Sequence, residues 1–501
     1  MESSARWTYK RLPQHLSAKV RFPVTQALAH IAQQTGQDVF LVGGYVRDLF
    51  LDRPSKDIDV LVLGSGIGFA EEVARRRSEA RQLSYFKNFG TAQLKWNGYE
   101  IEFVGARKES YQRHSRKPVV EEGSLEDDLL RRDFTINTLA IWLGPEDAFR
   151  LIDPFNGLED LRRGRIDTPQ DPWHTFSDDP LRMMRAVRFS AQLHFQLSER
   201  VADAIRARSR RLEIISMERI TDEFNKIMMA VQPSVGIRQM DELGLLEYVL
   251  PELQRMKGVE TIDDQSHKDN FYHTLQVLDN AAEETDNLWL RWAVLLHDIG
   301  KPKTKRFDPE QGWTFHGHEI VGQKMAPQIF KRLRLPLNEK LRYVQKMVGL
   351  HHRPIALTQE VTDAAIRRLL VDAGDDLEDL FILCRADITS KNPRRKERYR
   401  RNFDQVMEKI QAVEARDRLR NWHPPVDGDQ IMALFDLKPS KTVGQLKTAV
   451  REAILNGEIP NDSTAALHYV RKKGEEQGLS VQDAIWRKLL QQAQTQTPHS
   501  Q

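Results

Sequence analysis

Short apolar runs alternate with paired polar residues through the first 160 positions, and the texture turns helical from about residue 178. Residues 20–36 carry a helical spacing of apolar positions, and 38–48 read as a strand and turn. That strand closes in Leu41-Val42-Gly43-Gly44, a helix carrying Tyr45-Val46-Arg47-Asp48 follows, and then comes Lys56-Asp57-Ile58-Asp59-Val60. Residues two apart on a strand face the same side, so Asp57 and Asp59 aim together while Ile58 turns to the core. Strand patterns over Gly90–Trp96 and Tyr99–Val104 flank Asn97-Gly98, a strong hairpin signal. The second of these puts Glu100 and Glu102 on one face.

The polar stretch 108–127, with Pro118 and Gly123, reads as a long mobile loop. In Arg131-Arg132-Asp133-Phe134-Thr135-Ile136-Asn137, the i, i+4 spacing predicts Asp133 and Asn137 on one helical face. Asp153-Pro154-Phe155-Asn156-Gly157 closes the mixed region. Further on, Pro180 is tolerated only in a first helical turn, so Asp179 is expected at the N-cap of a helix carrying Arg182. Seams are expected near 160–175, 258–268 and 400–424.

A chain of 501 residues is too long for one core and implies several domains. No apolar run approaches the ~20 residues that span a bilayer, and Met1-Glu2-Ser3-Ser4 does not begin a signal peptide. The single cysteine, Cys384, excludes an internal disulfide framework and fits the reducing cytoplasm. The net charge of +3 does not announce a nucleic-acid partner. Basic clusters at Arg75-Arg76-Arg77, Arg206 to Arg211, Lys301 to Arg306 and Arg394 to Arg401 would make a phosphate-tracking surface only if they share a side.

Two converging carboxylates are hard oxygen ligands suited to Mg²⁺, which prefers one or two protein carboxylates plus substrate phosphates. A glycine pair lets backbone approach a triphosphate closely. A lone Asp-x-Asp is usually loop or solvent-facing. Here Gly43-Gly44 stands thirteen residues upstream and the Arg131–Asn137 block lies downstream. With those blocks the chain resembles the class II tRNA nucleotidyltransferase and bacterial poly(A) polymerase family of the DNA polymerase beta superfamily.

The resemblance implies an α+β chain, with a small mixed-sheet nucleotidyltransferase head followed by an all-α neck, HD body and tail. The expected bounds are 1–160, 161–258, 259–400 and 401–501. It implies a catalytic trio of Asp57, Asp59 and Glu102, with Glu100 the alternative. The family's third acid stands five residues before an arginine, as Glu102 stands before Arg107. Gly43, Gly44, Arg47, Arg132, Asp133 and Asn137 would meet the triphosphate and sugar, although Arg47 could instead serve Asp48.

Asp179 and Arg182 fit the family's base-reading motif, with Asp178 standing where the family has glutamate. Cytosine and adenine each present an amino donor beside a ring-nitrogen acceptor, which a carboxylate and a guanidinium complement. Guanine and uracil present the reverse order, and buried unpaired polar groups cost ~1–3 kcal/mol each. The pair would therefore select CTP and ATP without a nucleic-acid template. Glu218 to Ile227 resembles the family's neck helix and reads as scaffold.

Leu295-Leu296-His297-Asp298-Ile299-Gly300-Lys301-Pro302 places His and Asp together at the end of an apolar helix. With His273 upstream and Asp387 downstream this is similar to an HD-type phosphohydrolase, with His318 and His351 or His352 as further ligand candidates. Such a set suits a divalent metal that activates water. Some HD relatives keep the fold and lose hydrolysis, so metal binding is expected ahead of turnover on phosphomonoesters or 2′,3′-cyclic phosphates.

Taken together, the resemblance implies CCA addition to tRNA from CTP and ATP with Mg²⁺ in the head, and C-terminal helices that hold the tRNA elbow. The retained loop at 108–127 argues against an enzyme adding C alone. An A-adding enzyme, a poly(A) polymerase, or an HD phosphohydrolase as the main activity are the alternatives. Oligomeric state is open, and no membrane partner is expected.

Overall fold

The computed structural model describes residues 8–496 except 87–89, 111–118, 145–148, 263–264, 357–361, 390–392 and 418–423. The chain divides into two compact units, Met1–Gln254 and Arg255–Gln501.

In the first unit, β1 (Tyr9–Lys10) precedes α1 (Gln14–Val20) and α2 (Pro23–Thr35). Pro23 opens α2 and Gly36, at φ +66°, closes it, matching the helical spacing of 20–36. β2 (Val39–Val42), α3 (Gly44–Phe50), β3 (Asp57–Val62), α4 (Gly66–Arg76), β4 (Arg81–Phe86), β5 (Thr91–Trp96) and β6 (Tyr99–Gly105) follow. Beyond these lie β7 (Arg107–Ser110), β8 (Val119–Glu122), α5 (Leu125–Leu130), β9 (Ala140–Trp142) and β10 (Arg150–Ile152).

Eight strands form one mixed sheet in the order β1-β10-β9-β2-β3-β6-β5-β4. Within this sheet, among the described residues, only β3 and β6 pair in parallel, with Asp57 opposite Glu100 and Asp59 opposite Glu102. Asn97 and Gly98, at φ +48° and +82°, make the tight turn that joins β5 to β6. α4 covers one face of the sheet, its Phe69 ring 5.9 Å from Phe103. α5 covers part of the other: Leu125 and Leu129 pack with Val42, Leu61 and Ala106.

Three local expectations change. The loop expected over 108–127 is instead a β7–β8 hairpin leading into α5, with its tip at 111–118 outside the described residues. Arg131–Asn137 is not one helix, because α5 ends at Leu130 and Phe134 is extended before a 3₁₀ turn at Thr135–Asn137. The helix after Pro180 begins at Leu181, one residue later than expected, with Pro180 at the N-cap position and Asp179 extended.

After β10 the first unit is mainly helical, with one short parallel pair of strands at Arg165–Ile166 and Gln196–Leu197: α6 (Gly157–Arg163), α7 (Pro172–Asp178), α8 (Leu181–Leu193), α9 (Glu199–Arg208) and α10 (Met217–Met228) lead its later half. The polar face of α10 alternates with buried Ile220, Phe224 and Ile227, and the helix packs on α8.

The second unit is a helical bundle with two two-stranded ribbons. Helices Asn270–Ala282 and His318–Arg332 carry His273 and His318, while His297-Asp298, His351 and Asp387 directly follow the ends of helices Leu288–Leu296, Glu339–Leu350 and Leu377–Ala386. Helices Gly428–Phe435, Lys441–Asn456, Ser463–Glu476 and Asp483–Gln496 enclose a separate apolar cluster built on Leu434, Leu446, Val450, Leu467 and Trp486.

Candidate active site and metal centre

β2 ends at Val42, and Gly43 after it has a φ of +72°, in the region glycine adopts freely. A Cβ there would stand 2.6 Å from Asp59 Oδ2 and 3.0 Å from Arg132 Nη1. Gly43 is what lets the strand end, the carboxylate and the guanidinium meet. Asp57 is exposed and Asp59 half-buried on one face of β3, while Ile58 is buried on the other. Glu102 stands beside Asp59 in register. Glu100, one rung away, is tied to Lys95 at 3.2 Å and Gln93 at 3.4 Å.

Burial raises the Asp59 carboxyl above its usual range, with Asp57 and Asp128 adding to the rise and Arg132 and Arg47 opposing it. Burial and the charge of Asp59 likewise raise Glu102, against Arg107. Carboxyls that repel one another and lose water are a donor set that a hard cation relieves.

Fully buried Asp128 receives Arg132 Nη2 at 3.2 Å and Arg131 Nε at 2.9 Å. Arg132 Nε is buried with no hydrogen-bond partner. Arg47, grouped with the nucleotide contacts in the sequence, spends its fork elsewhere. It grips both oxygens of Asp48 at 2.9 Å and donates to Asn137 Oδ1 at 2.9 Å. Gly44 starts α3 beside it.

Asn137 in turn donates to Asp133 Oδ1 at 2.9 Å, so the predicted pair meets through the 3₁₀ turn. Arg185 of α8 completes the knot, Nε 2.7 Å from Asp133 Oδ2. Burial pushes Asp133 up, but the Arg185 charge and the Asn137 hydrogen bond outweigh it and hold the group at about 2, against an ordinary 3.8. A depressed carboxyl stabilises the fold above its unfolded value and loses that contribution as pH falls toward the folded one. Between pH 4 and pH 2 this amounts to about 2 kcal/mol. An Asp133→Asn variant is therefore expected to show a flatter melting temperature across that window, measured by thermal denaturation at stepped pH.

Asp179 and Arg182 are neighbours without being ion-paired to each other. Asp179 Oδ1 accepts the Leu181 N–H at 3.1 Å, and Oδ2 accepts Arg219 Nη2 at 3.1 Å. Arg182 Nη2 donates to the Arg131 carbonyl at 2.7 Å, and its Nη1 is buried with no partner. Asp128, Arg185 and Arg219 were not singled out in the sequence. Only the i, i+4 step from Asp128 to Arg132 carries a local signal for any of them.

The second unit gathers the other candidates. Asp298 Oδ2 lies 3.2 Å from His297 Nε2 and 3.6 Å from His273 Nε2, while Oδ1 lies 3.3 Å from His318 Nε2 and 4.0 Å from His351 Nε2. Asp387 Oδ1 is 2.9 Å from His273 Nε2 and 3.8 Å from His297 Nε2.

The imidazoles are aimed from behind. Nδ1 of His297, His318 and His351 sits 2.7, 2.9 and 2.7 Å from the carbonyls of Val294, Phe315 and Val348, and His273 Nδ1 is 3.0 Å from Thr389 Oγ1. This tethering leaves Nε2 as the inward ligand atom. His273, His297 and Asp298 form one group with ligand atoms within 4.8 Å of one another, and His318, His351 and His352 form a second. Asp298 and Asp387 outweigh burial and raise His297 above its usual range, whereas burial and the His297 charge push His351 down to about 3. The donor set fits a divalent transition metal.

Purified protein is expected to retain such a metal through dialysis and Asp298→Ala to lose it, measured by elemental analysis. Adding back metal at 100 times its Kd should stabilise only the wild type, by about 2.7 kcal/mol.

A mixed sheet with paired carboxylates beside a glycine turn, joined to a helical chain carrying an HD cluster, defines a nucleotidyltransferase with an HD body. Known proteins agree. The poly A polymerase head domain matches residues 39–167, the "Probable RNA and SrmB- binding site of polymerase A" 194–257, and the HD domain 270–392. The chain is 34% identical over 362 residues to the A-adding tRNA nucleotidyltransferase of Deinococcus radiodurans, covering 70% of this chain and 80% of that one. It is 30% identical over 465 residues to the CC-adding tRNA nucleotidyltransferase of Thermus thermophilus, covering 90% and 97%. The solved Bacillus stearothermophilus CCA-adding enzyme in complex with CTP shares the fold at 22% identity and a TM-score of 0.65, covering 90% and 97%. The chain belongs to the tRNA nucleotidyltransferase and poly(A) polymerase family. No helix among the described residues is long and apolar enough to cross a membrane.

Proposed function

We propose that this chain adds CCA to the 3′ end of tRNA, taking CTP and ATP without a nucleic-acid template. The observation that carries the reading is the buried, unpartnered Nη1 of Arg182, three residues on from Asp179, on the unit that holds Asp57, Asp59 and Glu102. A ring-nitrogen acceptor satisfies the guanidinium and an exocyclic amino group satisfies the carboxylate. Cytosine and adenine offer both in that order.

Asp57, Asp59 and Glu102 would hold Mg²⁺, which supplies charge neutralisation at the triphosphate and lowers the pKa of the primer hydroxyl. The chain's own groups do the rest. Gly43 leaves room for phosphate oxygens beside Asp59, and the unpartnered Arg132 Nε supplies a donor there. The RNA 3′ oxygen bonds to the α-phosphorus, the bond from that phosphorus to the bridging oxygen breaks, and pyrophosphate leaves. The hydroxyl proton passes to Glu102 and on to water. The Asp133–Arg185 ion pair ties the segment after Arg132 to α8, the helix that carries Arg182.

A-adding activity is the second reading, favoured by the 34% identity to a relative of that name. Relatives named for CC addition and, in Pseudomonas fluorescens, for a multifunctional CCA protein carry the other parts of the reaction. The β7–β8 hairpin is retained here, which speaks against addition of C alone. The discriminating experiment offers tRNA lacking its last three nucleotides with CTP, ATP or both. The CCA reading expects two residues added from CTP and three from the mixture. Failure to incorporate C, with A added to a tRNA already ending in CC, would transfer the assignment to A addition. The HD centre is proposed to bind a divalent metal, with phosphoester hydrolysis as its secondary activity.

A further inference from the structure

Strand order fixes the side from which each reactant reaches Asp59. On the β2 side stand Gly43 and Arg132, where the triphosphate belongs under the nucleotidyl-transfer reading on which this inference rests. In a phosphoryl displacement the attacking and leaving oxygens are roughly in line. The pyrophosphate leaves toward β2, so the RNA 3′ oxygen must arrive across β6, β5 and β4.

That side of the sheet is built to receive something. Directly paired residues share a face, which gives one rung of Asp59, Glu102, Gln93 and Ser84 and another of Asp57, Glu100, Lys95 and Arg81. Phe86, two residues beyond Ser84, joins the same face and is 46% exposed. Its neighbour Tyr85 turns the other way, toward Glu71 of α4. Lys95 and Arg81 are exposed on the outer strands. With strands about 4.8 Å apart, β5 and β4 lie about 10 and 14 Å from Asp59.

We propose that this open face of β4, β5 and β6 seats the single-stranded 3′ end of the RNA, with Phe86 stacking on a base and Lys95 and Arg81 holding backbone phosphates. An exposed aromatic next to cations is the combination that binds unpaired nucleotides without reading sequence. Acids alone would repel the strand. Lys95, which also holds Glu100 at 3.2 Å, and Arg81 put positive charge at the outer end of the Asp57 rung and offset the acids beside it.

Two measurements on the full-length protein test it. In steady-state extension of tRNA lacking its 3′ end, Phe86→Ala is expected to raise KM for RNA about tenfold, and Lys95→Gln with Arg81→Gln to raise it further. The loss should fall on the RNA and not on KM for CTP, and Phe86→Tyr should restore it. Separately, a photoreactive 4-thiouridine at the RNA terminus should crosslink to the peptide bearing Phe86, with no nucleotide present. An unchanged RNA KM in the triple variant of an enzyme that extends RNA, or crosslinks confined to other elements, would overturn the assignment. Crosslinks to Phe86 in a protein that adds no nucleotide would instead refute the transfer reading and leave the RNA seat standing.

Discussion

Replacing Asp59 with alanine is expected to lower the rate of nucleotide addition by roughly 10³-fold or more, the several kcal/mol that charge stabilisation at a metal site supplies. Asp59 is the carboxylate on which the arrangement converges. Gly43 and Arg132 approach it from β2, and Glu102 stands next to it on β6. The loss should not come from unfolding. Burial and the charges of Asp57 and Asp128 raise its carboxyl, so the ionised group costs the fold stability above its unfolded pKa, and a neutral residue removes that cost. Single-turnover extension together with a melting curve checks both halves: activity falls while the melting temperature holds or rises.

Arg182→Ala is expected to have the second largest effect, and its signature is selectivity. The wild-type guanidinium has one buried Nη1 without a partner, which costs about 1–3 kcal/mol until a base supplies an acceptor. Removing it should lower kcat/KM for CTP and ATP by about 10- to 100-fold and narrow their advantage over UTP and GTP by a similar factor. Asp179 is held by Leu181 and Arg219 and not by Arg182, so the carboxylate should keep its position in the variant. Competition between nucleotide pairs at fixed RNA measures the change. Equal losses for all four nucleotides would mean that Arg182 supports the fold and does not read the base.

Much of the head was legible because its signals are local. Asp57 and Asp59 needed only the two-residue repeat of a strand, and the Asn97-Gly98 turn announced the β5–β6 hairpin. That turn sets Gln93 opposite Glu102, while the parallel pairing of β3 with β6, which no local signal encodes, puts Glu102 beside Asp59 and leaves Glu100 with Lys95. Other features depend on contacts far apart in the chain. Arg185 reaches Asp133 across 52 positions, and Arg47 reaches Asn137 across 90. No periodicity encodes such pairs. β4 was not foreseen because all of it but Leu83 is exposed, so Arg81 to Phe86 lacks the buried alternation that marks a strand. The 108–127 stretch read as loop because its polar composition hid the β7–β8 hairpin.

In the HD unit the sequence named every residue of the cluster, since His297-Asp298 at the end of an apolar helix is a compact signal. It could not show that carbonyls at Val294, Phe315 and Val348 aim three of the imidazoles inward. That information lies in how two helices close at Val294 and Val348 and in the turn at Phe315 that leads into the helix of His318.

The decisive measurement follows pyrophosphate release and RNA lengthening together, in wild-type protein and in Asp57→Asn/Asp59→Asn, on tRNA lacking its 3′ end with Mg²⁺, CTP and ATP supplied. One pyrophosphate per nucleotide added by the wild type, and neither product from the double variant, is the expected result. Lengthening that persists after both aspartates are neutralised, or none from the intact protein, would contradict a head site built on those carboxylates.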